Sequence, residues 1–238
     1  MFDSGIGGLT ILKEFIKIHP FNEYIYYGDT INMPYGEKNK EELMNISREI
    51  INFLITKDVD IIIIACGTLA SNIYKEIKKE YKIPIYDIIK PTIEELKEND
   101  IKRVLLLGTE KTIESKLFEN KLKNINIHVD AKACPKFAPI LEGKIKEDIN
   151  LVLQDYLYDY KGMNLDCIVP ACTHYNLIKD EMEKYMGIEV LNIGEILTRR
   201  IPIKYSISGL KIYFSLINKE IVDNVKSIIG ECEIKTLD

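Results

Sequence analysis

The chain has little of what several protein classes require. Five cysteines in 238 residues are too few, and odd in number, for a disulfide framework, which favours a reducing compartment. Lys and Arg number 32 against 37 Asp and Glu, and the net charge of −5 argues against a nucleic-acid partner, because phosphate binding requires a basic face. The longest apolar run, residues 61–66, is too short to span a membrane. With no targeting segment visible, we expect a cytoplasmic protein that binds neither nucleic acid nor membrane.

What the chain does have is a regular alternation of short apolar runs and amphipathic stretches. The apolar runs predict buried strands at residues 24–27, 61–65, 104–107, 167–171 and 190–193. The amphipathic stretches predict helices at residues 40–55, 69–81, 112–122, 147–157 and 176–186, with Gly187 ending the last one. This alternation predicts an α/β protein built from doubly wound parallel sheets.

A short internal repeat divides the chain. The segment IIACGT around Cys66 is similar to VPACTH around Cys172, and residues 2–4 match residues 107–109 at nearly the same offset. The repeat predicts two similar α/β domains, residues 1–90 plus 201–238 and residues 91–200, each with a cysteine at the end of a strand. We expect the chain to cross between the domains at Lys90-Pro91 in extended conformation. The tail should return to the first domain as strand, helix and strand.

Reactive residues follow several of the predicted strands, where α/β sheets bind ligands. Ser, Thr and Asp there could bind an anionic group together with free backbone N–H groups, although such residues are often only helix caps. Cys66 and Cys172 stand out, because a helix N-terminus lowers the pKa of a thiol. Two thiols facing one substrate predict proton transfer on opposite faces of a carbon, with Asp3 and His174 in support.

Two other interpretations of these residues are weaker. A zinc site built from Cys66, Cys134, Cys172 and His174 would lack paired CxxC spacing. A Cys–His hydrolase would explain Cys172 but would leave Cys66 without a role.

Six segments together resemble the glutamate racemases of the aspartate/glutamate racemase superfamily. They are FDSGIGGLT (2–10), YYGDTINMPYGEK (26–38), IACGT (64–68), GTEKTI (108–113), ACPKFAPILEGK (133–144) and ACTHYNLIK (171–179). The resemblance covers essentially the whole chain. It implies a cofactor-independent racemase with two pseudo-symmetric domains, an active site between them and a small acidic amino acid as substrate. It also implies a homodimer in the bacterial cytoplasm whose D-glutamate feeds peptidoglycan synthesis.

The resemblance also assigns residue roles. Cys66 would act on the D-enantiomer and Cys172 on the L-enantiomer, with Asp3 and His174 as further catalytic residues. Asp29 would be a further carboxylate of the site. The positions that match substrate-binding residues are Ser4, Tyr35, Gly36, Gly67, Thr68, Thr109, Thr112, Glu142 and Thr173.

The sequence departs from the family pattern at several positions. Gly67 stands where the family has Asn, which removes a side-chain amide that should bind the amino acid, and Ala171 replaces a glycine. Only two residues precede Asp3, so the first strand should be short. Gly67 leaves open an aspartate racemase or another racemase of acidic amino acids. A non-catalytic descendant that binds an amino acid is the alternative from a different class.

Overall fold

The computed structural model describes residues 1–204 and 208–236. Ten strands among these residues form two sheets in which every pairing is parallel. The strands are β1 (Phe2–Asp3), β2 (Glu23–Gly28), β3 (Ile62–Ile64), β4 (Ile85–Asp87), β5 (Arg103–Gly108), β6 (His128–Ala133), β7 (Cys167–Pro170), β8 (Glu189–Val190), β9 (Gly209–Phe214) and β10 (Ile234–Thr236). The first sheet has the order β10-β9-β2-β1-β3-β4 and the second β6-β5-β7-β8.

Helices connect the strands. They are α1 (Leu9–Ile18), α2 (Lys40–Ile55), α3 (Gly67–Asn72), α4 (Tyr74–Ile77), α5 (Ile89–Glu98), α6 (Glu110–Glu114), α7 (Leu117–Lys123), α8 (Phe137–Leu141), α9 (Ile149–Leu157), α10 (Lys179–Met186), α11 (Ile193–Arg200) and α12 (Lys219–Ile228). Short 3₁₀ segments lie at Tyr35–Glu37, Tyr158–Tyr160 and Thr173–Ile178. Among the described residues, none of these helices combines the length and apolar character needed to cross a lipid bilayer.

The two sheets share one topology, which confirms the α/β fold class. The order β2-β1-β3-β4 in the first sheet corresponds to β6-β5-β7-β8 in the second, and the tail adds β9 and β10 to the first, as expected. We call each sheet with its helices a lobe, the first lobe holding the six-stranded sheet. In each lobe the first strand, β1 or β5, has the next strand of the chain on one side and the following strand on the other. A crevice that can bind a ligand forms at the carboxyl ends of the strands where the chain changes side in this way.

Apolar packing joins the lobes. One buried cluster contains side chains of α1, α5 and α11 together with side chains of both sheets, such as Ile63 and Leu106. A second cluster covers the outer face of the first sheet and includes Cys66. A third covers the outer face of the second sheet and includes Cys172. Each of these cysteines therefore belongs to the core of its own lobe.

Local signals explain where several elements begin and end. Asn39 caps α2 through a capping box with Glu42, and the helix has the predicted bounds. Gly187 ends α10 with a φ of 70°, as its position predicted. The predicted helix at 112–122 instead breaks into α6 and α7 at Lys116, which has a φ of 56°.

Three further expectations are wrong in detail. The helix predicted at 69–81 is two short helices that meet at Ile73. Residue 193 begins α11 rather than ending a strand. Lys90-Pro91 lies in the first turn of α5 instead of in an extended crossing, because a helix leaves its first N–H groups without internal partners and so tolerates proline there.

The domain boundaries at residues 90 and 200 stay predictions. Of the segment 201–238 assigned to the first domain, residues 205–207 and 237–238 lie outside the described part of the chain.

Candidate active site

Two cysteines from different lobes lie near each other where the lobes approach. Cys66 follows β3 and precedes α3, while Cys172 follows β7 and precedes the 3₁₀ segment Thr173–Ile178. Their side chains are nearly buried, at 5% and 7% exposure. The two thiols are close enough for the charge of Cys172 to contribute to the raised pKa of Cys66, although burial is the largest cause. The internal repeat therefore brings its two cysteines to a shared place.

Asp3 ties the first lobe to the second. This carboxylate at the end of β1 is fully buried. Its Oδ2 accepts hydrogen bonds from the backbone N–H of Gly8 at 2.7 Å and from the Thr173 hydroxyl at 3.0 Å. Burial raises the pKa of Asp3, and the nearby charge of His174 and these hydrogen bonds oppose the rise only in part. A buried carboxyl of this kind can exchange a proton near the thiols.

The environment of Cys66 overturns one sequence expectation. Its thiol donates a long hydrogen bond of 3.9 Å to the Ser4 hydroxyl. Burial raises the pKa of Cys66, and the neighbouring Asp3 charge adds to the rise, whereas a hydrogen bond from the Leu69 backbone opposes it. The helix N-terminus thus does not lower this pKa overall, because desolvation of a thiolate outweighs a nearby dipole. The raised pKa favours the protonated thiol at Cys66.

A buried ion pair lies beside the second cysteine. Nε2 of His174 lies 2.6 Å from Oε1 of Glu142, and Nδ1 of His174 lies 3.9 Å from Sγ of Cys172. Burial alone would lower the pKa of His174, but its hydrogen bonds with Cys172 and Glu142 raise the pKa well above the usual value. Burial favours a higher pKa for Glu142, yet the hydrogen bond and charge of His174 lower it. We conclude that the pair is imidazolium and carboxylate.

A chain of hydroxyl groups crosses between the lobes at Thr68, two residues after Cys66. The Thr68 and Thr109 hydroxyls lie 3.0 Å apart across the two lobes, and the Thr112 hydroxyl lies 2.8 Å from that of Thr109. Thr109 is also the cap of α6, because its hydroxyl accepts a hydrogen bond from the backbone N–H of Thr112, and its role in substrate binding stays a prediction. This chain of hydroxyls connects α3 in the first lobe with α6 in the second.

The segment 29–36 contains a buried hydrogen-bonded pair. Tyr35 is buried and donates a hydrogen bond of 2.7 Å to Asp29. Burial raises the pKa of Tyr35 well above its usual value, with the charges of Asp29, Cys66 and Asp3 adding to the rise. Tyr35 therefore holds Asp29 in a buried hydrogen bond, while Gly36 lies half-buried in the same 3₁₀ turn.

Glycines allow the lobes to approach each other. A Cβ atom at Gly67 would lie 1.8 Å from the carbonyl oxygen of Ala171, so no side chain fits there in this arrangement. A Cβ at Gly5 would lie 2.5 Å from Oε1 of Glu142, and one at Gly7 would lie 2.5 Å from the Thr173 hydroxyl. The sequence interpretation treated Gly67 only as a lost amide, whereas the structure shows that the position is filled by backbone from the other lobe.

Sequence reasoning missed two side chains near the site. The buried Tyr26 hydroxyl donates a hydrogen bond of 2.6 Å to the carbonyl of Gly5, which holds the loop that carries Ser4. Lys144 forms an ion pair of 3.2 Å with Glu142. Tyr26 was counted only as a strand residue, and its tyrosine hydroxyl in a buried strand was the available signal, because such groups need a partner.

The described cavities lie away from the cysteines. One of about 340 Å³ is lined by Met1, Pro84 and Lys204, among others, and one of about 380 Å³ by Thr10 and Asn176, among others. Neither is lined by Cys66 or Cys172. Within residues 1–204 and 208–236, no group of three or more His, Cys, Asp or Glu side chains could hold a metal ion.

The chain is similar in sequence and in structure to known racemases. The Asp/Glu/Hydantoin racemase model matches residues 17–201. A glutamate racemase of Aquifex aeolicus (strain VF5) is 35% identical, over 97% of this chain and 93% of that protein. The glutamate racemase structure from Aquifex pyrophilus is 34% identical with a TM-score of 0.84, covering 99% of this chain and 96% of that one. The D-glutamate complex of glutamate racemase from Francisella tularensis subsp. tularensis SCHU S4 has 25% identity and a TM-score of 0.87, covering 100% and 96%.

Proposed function

The chain belongs to the Asp/Glu/hydantoin racemase family, and we propose that it is an isomerase that interconverts L- and D-glutamate by proton transfer at Cα. The observation that carries this function is the meeting of Cys66 and Cys172 at equivalent strand ends of two lobes. Full-length relatives at 35% and 34% identity are glutamate racemases, and a structure that shares the fold contains D-glutamate. These likenesses favour glutamate over aspartate as the substrate.

Inversion requires one base and one acid on opposite faces of the substrate. Starting from L-glutamate, a Cys172 thiolate takes the α-proton and becomes a thiol, while the electron pair of the broken C–H bond stays on Cα. The Cys66 thiol then delivers its proton to the opposite face, forming the new C–H bond and leaving a thiolate. The reaction from D-glutamate runs in reverse. The protonated state of Cys66 in the closed site suits the donor role in the first direction.

The neighbouring groups suit the charge changes of this cycle. The His174 imidazolium lies beside Cys172 and can compensate negative charge there, and Glu142 keeps the imidazole charged. Asp3 has a raised pKa near Cys66 and can take part in returning a proton to that sulfur. Ser4 and Thr68 offer hydroxyl donors for the substrate carboxylates, while the Thr173 hydroxyl donates to Asp3. Donors fixed before the reaction stabilise the charge that develops at Cα.

Deuterium exchange tests the function directly. The protein is incubated with D- or L-glutamate in D₂O, the Cα–H signal is followed by NMR, and optical rotation is recorded in parallel. Exchange with loss of rotation is expected for glutamate. Binding without exchange would instead indicate a non-catalytic amino-acid-binding protein. Faster exchange with aspartate than with glutamate would identify aspartate as the substrate.

Single variants test the two thiols separately. Cys66→Ser and Cys172→Ser should each abolish racemisation, because each removes the acid or base on one face. Cys232→Ser is the matched control, since this half-exposed cysteine belongs to the packing around α12. Near-full activity in either of the first two variants contradicts the two-thiol assignment.

We further propose the setting that the resemblance implies. D-glutamate made by this protein would feed peptidoglycan synthesis in the cytoplasm, and the protein would act as a homodimer. Light scattering coupled to size-exclusion chromatography measures the mass in solution, where a monomer of 27.5 kDa at all concentrations would refute the dimer.

A further inference from the structure

One turn of the chain contacts two reactive groups of the first lobe. This turn, residues 4–8, joins β1 to α1. The Ser4 hydroxyl at its start accepts the hydrogen bond of the Cys66 thiol at 3.9 Å. The Gly8 N–H at its end donates to the Asp3 carboxylate at 2.7 Å. A shift of the 4–8 turn would therefore change the surroundings of the thiol and of the carboxylate together.

The same turn lies against the second lobe. A Cβ atom at Gly5 would lie 2.5 Å from Oε1 of Glu142. One at Gly7 would lie 2.5 Å from the Thr173 hydroxyl and 2.7 Å from the backbone nitrogen of His174. Glu142 and His174 form the buried ion pair beside the second cysteine. The placement of the 4–8 turn therefore matters to both lobes of the site.

A tyrosine on an interior strand holds this turn. Tyr26 lies in β2, which pairs with β1 on one side and with β9 on the other. Its side chain is fully buried and packs against Phe214 at a distance of 6.0 Å between the ring centroids. Its hydroxyl donates to the Gly5 carbonyl at 2.6 Å. Burial raises the pKa of Tyr26 well above its usual value, and nearby negative charges add to the rise, so the hydroxyl keeps its proton and remains a donor.

We infer, on the basis of the proposed racemase function, that Tyr26 is a positioning residue that fixes the 4–8 turn for proton transfer. Tyr26 acts through the Gly5 carbonyl and not on the substrate, because its hydroxyl ties the turn to a strand that is paired on both sides. Without the hydroxyl, the buried Gly5 loses this partner for its carbonyl, and the turn moves to satisfy that group elsewhere. Ser4 and the Gly8 N–H move with it.

The test compares Tyr26→Phe with Tyr24→Phe. Tyr24 lies two residues earlier in the same strand, so its side chain is on the same face of the sheet. Its hydroxyl also donates to backbone carbonyls, that of Phe15 at 3.1 Å and that of His19 at 2.8 Å. These acceptors belong to the end of α1 that is opposite to the 4–8 turn. Each substitution thus removes one hydroxyl from the backbone of a different segment.

Three measurements are made on each protein. Steady-state kinetics give kcat and KM with both enantiomers of glutamate, and thermal unfolding gives Tm. Hydrogen exchange followed by mass spectrometry measures the opening of residues 3–9 and needs no substrate. We expect both variants to lose about 2–4 °C in Tm, because each gives up hydrogen bonding between a tyrosine and the backbone.

Activity and local exchange should separate the two variants. Tyr26→Phe should lower kcat about tenfold with a smaller change in KM, because proton transfer depends on alignment more than binding does. Residues 3–9 should exchange about tenfold faster in Tyr26→Phe than in Tyr24→Phe, since the turn is no longer tied to β2. An unchanged kcat, or equal losses of kcat in both variants, would overturn the inference. A lower kcat with unchanged exchange would also overturn it, because the effect would not pass through the turn.

A third substitution keeps the result decisive. Tyr26→4-aminophenylalanine retains the ring and a weaker N–H donor, so its kcat and exchange rate should lie between those of Tyr26→Phe and the unaltered protein. If Tyr26→Phe does not fold, this variant alone is compared with the unaltered protein, and equal kcat and equal exchange would then overturn the inference. If the unaltered protein does not racemise glutamate, the proposed function fails. The exchange rates then still decide whether Tyr26 fixes the turn.

Discussion

Replacing Glu142 by Gln tests the buried pair that supports Cys172. The substitution keeps the size of the side chain and an oxygen that can accept a hydrogen bond, but it removes the negative charge 2.6 Å from the His174 ring. Burial lowers the pKa of His174, and without the Glu142 charge only the interaction with Cys172 still counteracts that lowering to a large extent. The pKa of His174 should therefore fall. His174 should then lose its charge under conditions where the unaltered protein keeps it.

The expected loss of stability follows from the burial of the pair. Leaving one charge of a buried pair alone costs about 3–5 kcal/mol. His174 can release its proton and the introduced amide can still accept a hydrogen bond, so we expect a smaller loss of about 2 kcal/mol. For a chain of this length that corresponds to a decrease in Tm of about 4–8 °C.

The pH dependence has a defined sign. The pKa of His174 is raised in the folded state. Its contribution to the free energy of unfolding is therefore complete below about pH 6.5 and is lost as the pH rises through the pKa of the folded protein. The pKa of Glu142 is lowered, so its contribution is complete above about pH 4.3 and is lost as pH falls through the folded value. The difference in Tm between the two proteins should therefore be largest between these two pH values.

Three measurements check the prediction. Thermal unfolding from pH 4 to 9 gives the stability difference, and NMR of the chain's three histidines gives the titration of His174. As the pH rises, kcat/KM of Glu142→Gln should begin to fall at a lower pH than that of the unaltered protein, because His174 loses its proton earlier. At pH 8 we expect kcat/KM to be reduced about 100-fold. Glu80→Gln, which alters an exposed pair with Arg48, is the control and should behave like the unaltered protein. Identical pH profiles for Glu142→Gln and the unaltered protein would refute a charged His174 that depends on Glu142.

Three further substitutions give separate tests. Thr173→Val removes a hydrogen bond to the buried Asp3 and should cost about 1–3 kcal/mol in thermal unfolding, with Thr173→Ser close to normal; equal losses would show that the hydroxyl is not responsible. Tyr35→Phe removes the 2.7 Å hydrogen bond to Asp29 and should lower kcat/KM about tenfold; an unchanged value would separate Asp29 from the site. Cys134→Ser should retain most of its activity, because burial raises the pKa of this thiol to about 12 and it lies outside the proposed pair; a loss equal to that of either proposed catalytic cysteine would contradict that pairing.

The sequence predicted most of the sheet architecture because buried parallel strands are continuously apolar. Residues 104–107 and 167–170 are of this kind, and both are central strands. The strands β4 and β6 were missed for the opposite reason. Each lies at an edge of its sheet, β4 has only three residues, and β6 alternates polar and apolar residues. The proline in α5 misled the prediction because the local preference of an X-Pro pair gave way to the helix start.

The sequence predicted that Cys66 and Cys172 follow equivalent strands, but it did not predict the electrostatics around them. Strand-end positions identified both cysteines and the hydroxyl residues, because parallel strands bring their carboxyl ends to one edge. Nothing local to Cys66 indicated that burial would outweigh the helix dipole. Glu142 and His174 are 32 residues apart, and their charge states depend on each other only after folding.

The sequence by itself determined the fold class, the repeated lobe and the residues that can carry acid–base chemistry. These properties depend on local periodicity and residue type. The tertiary structure alone decided how close the lobes come, that burial raises the pKa of Cys66, and that the position of residue 67 is filled by a carbonyl from the other lobe. Such properties arise from desolvation and from contacts between distant segments, which no short stretch of sequence encodes.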